Sequence, residues 1–128
     1  MNLTGTINKI INYAAYVAEP DKIILFGSMV NGKANVYSDV DLLIITEDVI
    51  DKKEVITKIK THSNQYSLKT DVLIYAKPEL ENELKMQNSF VAAIYKHGKI
   101  VYKKPADFFG EIKNYNNFMS RSNLNIKY

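Results

Sequence analysis

Asp39 and Asp41 stand two positions apart at the entrance to the apolar run 40–45. In an extended chain, side chains two apart leave the same face. Carboxylates that close repel each other, and an apolar neighbourhood sharpens the repulsion. A divalent cation between them removes it, and oxygen-only ligands suit magnesium or manganese rather than zinc. Taken alone, such a pair also fits a solvated strand entrance that blunts a sheet edge. A second feature lies upstream at Gly27-Ser28, directly after the apolar run 22–26. Glycine there lets the backbone approach a ligand. Free NH groups at the start of a following helix favour an anion, and the Ser28 hydroxyl adds a donor. The plain alternative is an ordinary turn with Ser28 as a helix N-cap.

The spacing joins the two features. Ten residues separate Ser28 from Asp39, so the chain reads Gly-Ser-x10-Asp-x-Asp. At ordinary residue frequencies a chance match somewhere in a chain of this length is on the order of a few in a thousand.

The elements that must position these residues follow from periodicity. Ile7, Ile10, Ile11, Ala14, Ala15 and Val17 recur near a 3.6-residue period and predict a helix over 4–18, stopped by Pro20 and Asp21. Residues 22–26 predict a strand, with a short helix to about Asn31 and a turn at Asn31-Gly32. Residues 40–45 are apolar on both faces after Asp41, which predicts a central strand covered on both sides. A helix over 51–62 shows Val55, Ile56 and Ile59 on one side, and residues 69–76 alternate as a third strand. Pro78 suits the first turn of a further helix, with Glu79 and Glu81 near its positive end. Helical character then runs with interruptions to about Lys96, His97-Gly98 closes it, and residues 99–103 form a short fourth strand. The order is that of an α/β protein with helices packed on one small mixed sheet of about four strands.

The chain has 128 residues, one ordinary domain, and its composition is that of a soluble globular protein. It divides into a domain over 1–105 and a segment over 106–128, a C-terminal helix or flexible tail, in which Phe108, Phe109, Ile112, Tyr115, Phe118 and Met119 fall partly along one helical side. Cysteine is absent, which excludes disulfides, thiolate metal sites and a cysteine nucleophile, and fits a reducing cytoplasm. No signal-type apolar core or membrane-length run is visible, so a cytoplasmic protein without a membrane partner is expected. A net charge of +3 is too small to argue for direct nucleic-acid binding. Arg121 is the only arginine, so a nucleotide site must use backbone NH groups, metal ions and lysine. His62 and His97 read as surface or capping residues, and the nine tyrosines as core or half-buried rings.

The stretches Ile23-Ile24-Leu25-Phe26-Gly27-Ser28 and Ser38-Asp39-Val40-Asp41-Leu42-Leu43-Ile44 resemble the signature of the nucleotidyltransferase superfamily of the DNA polymerase beta type. The likeness covers roughly Lys22 to Lys103 and is strongest to the minimal nucleotidyltransferases, antitoxin partners of HEPN-domain toxins. Gly98-Lys99-Ile100-Val101-Tyr102 resembles that family's closing strand. The resemblance implies Mg2+ held by Asp39 and Asp41, ATP as substrate, and its terminal phosphates on the Gly27-Ser28 turn. It also implies a third carboxylate that binds metal and helps deprotonate an attacking hydroxyl. Asp71 is the natural choice, because Glu47 and Asp48 lie beyond the far end of the Asp39 strand. Related proteins often carry arginine soon after Gly-Ser. Met29, Val30 and Asn31 stand there in this sequence, and the nearest cation, Lys33, is the candidate phosphate contact.

No length remains for an acceptor-binding domain, so the acceptor is expected on another macromolecule or on a second copy, in a hetero-oligomer or homodimer. The reading placed first is an adenylyltransferase antitoxin that moves AMP from Mg-ATP to a tyrosine of its HEPN toxin. The alternatives are an antitoxin that neutralises its partner by contact alone, and a homodimeric transferase for a small molecule of aminoglycoside type.

Overall fold

Helix α1 (Leu3–Ala18) buries Thr6, Ile10, Ile11, Ala14 and Ala18, the stripe expected of a helix lying on a sheet. It ends in a left-handed turn: Glu19 has φ of 45°, and its amide reaches the Ala15 carbonyl at 3.1 Å. Pro20, itself fully buried, follows at once and cannot extend the helix. The structure is a computed structural model and describes residues 3–30, 39–86 and 89–105. Lys33 and the segment 106–128 lie outside the described residues, and so does the expected turn at Asn31-Gly32.

Strand β1 (Lys22–Phe26) leads into a single 3-10 turn at Gly27–Met29. Strand β2 (Val40–Thr46) follows, then helix α2 (Lys52–Asn64) and strand β3 (Thr70–Ala76). Asp51 caps α2 rather than opening it, its carboxylate accepting the Glu54 amide at 3.1 Å. The long interrupted helix expected after Pro78 is two helices, α3 (Lys77–Lys85) and α4 (Phe90–His97). The backbone turns extended at Met86, and Ser89 restarts the helix by accepting the Ala92 amide on its hydroxyl at 3.3 Å. Strand β4 (Lys99–Lys103) closes the sheet.

The sheet order is β3-β2-β1-β4. β2 and β3 run parallel, which requires a crossover such as α2, while β1 is antiparallel to both β2 and β4. Strand alternation sorts the core into two layers. Val40, Leu42 and Ile44 face α1 and α2, together with Ile23, Leu25, Val72 and Ile74. Leu43, Ile45 and Ile24 face α3 and α4, where Leu80, Val91 and Ile94 cover them. β2 is thus a central strand covered on both faces, and the described residues form a mixed four-stranded sheet flanked by helices, the architecture that the periodicity predicts. Every residue of β2 is buried except Asp41. Among the described residues no helix is long and apolar enough to cross a membrane.

Candidate active site

Three strands bring chemistry to one level of the sheet. Phe26 of β1 is the register partner of Asp41 in β2, and Asp41 is the register partner of Asp71 in β3. Asp41 and Asp71 share the parity of the residues that face α3 and α4, and both are half-buried. Asp39 immediately precedes β2 and shares the parity of Asp41. The amide of Val40, between them, donates to the Lys69 carbonyl at 2.8 Å, which fixes the strand entrance against β3. Glu47 and Asp48 lie past the other end of β2, and Glu47 pairs there with Lys77 at 2.8 Å, so neither belongs to this corner.

Gly27 completes the corner by direct contact. Its φ of 79° lies in the left-handed region. A Cβ built on Gly27 would collide with Oδ2 of Asp41, so the turn presses its backbone against that carboxylate. Only glycine satisfies both the angle and the approach. Ser28 differs from the expectation: it lies inside the 3-10 turn, and Phe26 occupies the cap position without a side-chain bond. The physical reason is that the turn already begins at Gly27, whose carbonyl accepts the Val30 amide at 3.1 Å, so Ser28 falls one residue inside it. Ser28 is half-buried beside Gly27, with its hydroxyl uncommitted to capping.

The electrostatics match the geometry. Burial is the main cause that pushes the Asp41 carboxyl above the usual carboxylate range, with Asp71 and then Asp39 adding like-charge repulsion and Lys69 opposing them. The ammonium of Lys69 lies 3.7 Å from Oδ2 of Asp39. Sequence reasoning missed Lys69. Its one signal was a lysine two residues before Asp71, which becomes meaningful only when β3 pairs with β2.

The ionisable oxygen ligands near Asp41 are the carboxylates of Asp39 and Asp71, and Lys69 offsets their charge only in part. That chemistry fits a hard divalent cation. Among the described residues, no three His, Cys, Asp or Glu side chains are gathered closely enough to hold a metal ion as they stand. Asp39, Asp41 and Asp71 are electrostatic neighbours rather than a closed cage.

The histidines are elsewhere. His62 is half-buried rather than a surface residue: its ring stacks on Tyr13 at 3.9 Å and meets Tyr66 edge-on at 5.5 Å, between α1 and α2. His97 is exposed at the end of α4, on the rim of an apolar cleft of about 220 Å³ lined by Phe26, Gly27, Val30 and Phe90.

Comparison with known proteins bears on the family and the fold. Residues 8–107 match the family described as polymerase beta, nucleotidyltransferase. A Methanocaldococcus jannaschii protein, named as a candidate protein adenylyltransferase, is 43% identical over 56 residues, or 42% of this chain and 54% of the relative. The matched region thus spans about half the length of that relative. A crystal structure of a toxin–antitoxin with AMP-PNP superposes with a TM-score of 0.52 at 18% identity, covering 88% of this chain and 90% of that one. An MntA–HpeT toxin–antitoxin bearing two Asp→Glu substitutions superposes with a TM-score of 0.52 at 19% identity, over 89% and 90% of the two chains. At such identities the likeness is one of fold. The match over residues 8–107 takes in the whole described sheet and the Gly27–Asp41 corner, and the chain belongs to the polymerase beta nucleotidyltransferase family.

Proposed function

We propose that this chain is an adenylyltransferase antitoxin, which moves AMP from magnesium-bound ATP to a tyrosine hydroxyl of a HEPN-type toxin in the cytoplasm. The observation that carries the reading is the Gly27 turn pressed against Asp41, with Asp71 in register beside it. Family membership supports nucleotidyl transfer, and the name of the M. jannaschii relative supports a protein as acceptor. The toxin–antitoxin assemblies that share the fold support a toxin as that protein.

The roles proposed for Asp39, Asp41, Asp71, Gly27 and Ser28 draw on their placement, and that of Lys33, outside the described residues, draws on the sequence alone. Asp39, Asp41 and Asp71 would hold the divalent cations, with Asp41 in electrostatic reach of both of the others. Magnesium held there would supply charge neutralisation for the transfer. The Gly27-Ser28 turn brings backbone and hydroxyl donors to the terminal phosphates, and Lys33 is a further phosphate contact. Asp71 accepts the proton of the tyrosine hydroxyl. That oxygen bonds to the α-phosphorus as the bond from the α-phosphorus to the bridging oxygen breaks, and pyrophosphate leaves. Positioning and charge carry most of such a reaction.

The test is incubation with labelled ATP, magnesium and the partner toxin. Wild type transfers label, and Asp41→Asn reduces transfer by at least about a hundredfold, the scale of losing a preorganised electrostatic group. Equal labelling by the pair Asp39→Ala plus Asp41→Ala would sink the proposal. A second reading, neutralisation by contact alone, draws on the open arrangement of the carboxylates and on Met29 and Val30 in place of a cation. It expects the same double variant to protect cells as well as wild type does.

A further inference from the structure

The sequence offers no arginine after Gly27-Ser28, where Met29, Val30 and Asn31 follow. The structure places a different cation at the corner. Lys69 ends the α2–β3 connection, and its carbonyl is fixed by the Val40 amide at 2.8 Å. The backbone at its root is therefore held beside Asp39. Its ammonium is held far less tightly. It stands 3.7 Å from Asp39 Oδ2, beyond hydrogen-bond reach, and 71% of the side chain is exposed.

The other lysine ion pairs among the described residues turn away from the corner. Lys52 meets Glu79, Lys58 meets Glu54, and Lys77 meets Asp21 and Glu47. Lys69 is thus the lysine whose described ion pair is made with the carboxylate corner. A compact ammonium on a flexible four-carbon stem suits an exchange of partners. Its root is ordered, its charged end is loosely engaged, and the anion it faces is one that a divalent cation would claim.

We infer that Lys69 is a phosphate-binding residue of the nucleotide site. It is the counter-cation of Asp39 in the metal-free protein, and it moves to the phosphate oxygens when the metal–nucleotide complex occupies the corner. The inference rests on the nucleotidyl-transfer reading and adds to Lys33 a cation that lies among the described residues. Lys69 takes no part in bond making; it positions and neutralises the phosphates.

The test measures binding, without turnover, on the full chain. Calorimetry is run with magnesium alone and with magnesium plus α,β-methylene-ATP, on wild type, Lys69→Met and Lys69→Arg. The exposure of Lys69 makes both variants compatible with the fold. Lys69→Met should bind the nucleotide about tenfold more weakly or worse, the scale of one charge-assisted contact. Lys69→Arg should stay close to wild type. Magnesium alone should bind Lys69→Met about two- to fivefold more tightly, because an exposed competitor of Asp39 has gone. A merely structural lysine would not move the two affinities in opposite directions. Unchanged nucleotide affinity in Lys69→Met overturns the assignment of Lys69 alone, and so does weakening of magnesium and nucleotide together. A wild-type chain that binds no magnesium–nucleotide complex overturns the transfer reading, and this inference with it.

Discussion

At the scale of single residues, Gly27 and Asp41 are one feature. The positive φ of Gly27 and its contact with the Asp41 carboxylate make the glycine irreplaceable on two separate grounds. Gly27→Ala should cost about 1–2 kcal/mol from the left-handed backbone alone. It should also displace the Asp41 carboxylate, so the loss of transferase activity should exceed the loss of stability measured by denaturant unfolding. Asp41 makes a sharper prediction through its titration. Its folded-state pKa is raised, first by burial and then by Asp71 and Asp39. Between the unfolded and folded values the native state binds more protons, so stability falls as pH rises through that window. Asp41→Asn removes this penalty. In metal-free buffer near neutral pH the variant should unfold at a higher temperature than wild type, and the gap should close as pH falls below about 4, the ordinary carboxylate range. Equal melting temperatures at both pH values would contradict the electrostatic account.

At the scale of elements, most boundaries were legible because they are local. The 3.6-residue stripe of α1 and the doubly apolar run of β2 are written in neighbouring residues. The division between α3 and α4 was not legible, because Ser89 reads as an unremarkable polar residue until its hydroxyl is seen on the Ala92 amide. The start of α3 was half visible. Pro78 and Glu79 signal a first turn, yet the cap position is Ala76, which has no side-chain acceptor. Glu79 compensates by accepting the Ala76 amide at 3.0 Å and pairing with Lys52 at 2.8 Å. These contacts, with Lys52 first, hold the Glu79 carboxyl below its usual range. Its contribution is therefore present above the unfolded carboxylate pKa and lost as pH falls through the folded one. Glu79→Gln should flatten that part of the acid unfolding curve. At neutral pH it should cost only about 0.5 kcal/mol, because the pair is exposed and screened.

At the scale of the whole molecule, the open carboxylate corner predicts linkage between ligand and fold. Free Asp39, Asp41 and Asp71 repel, so a ligand complex that neutralises them binds the native state alone. At a hundred times its dissociation constant, magnesium–ATP should add about 2.7 kcal/mol of stability. Thermal unfolding should show this as a concentration-dependent rise for wild type and as little change for Asp39→Ala plus Asp41→Ala. By itself the sequence determined the strands, the turn and the same-face pairing of Asp39 with Asp41, because these depend on residues near one another in the chain. Only the tertiary structure decided that Gly27 touches Asp41, that Asp71 stands in register beside it and that Lys69 faces Asp39. Those are relations across β1, β2 and β3, and strand order and register are set by the packing of two buried layers rather than by any local run of residues.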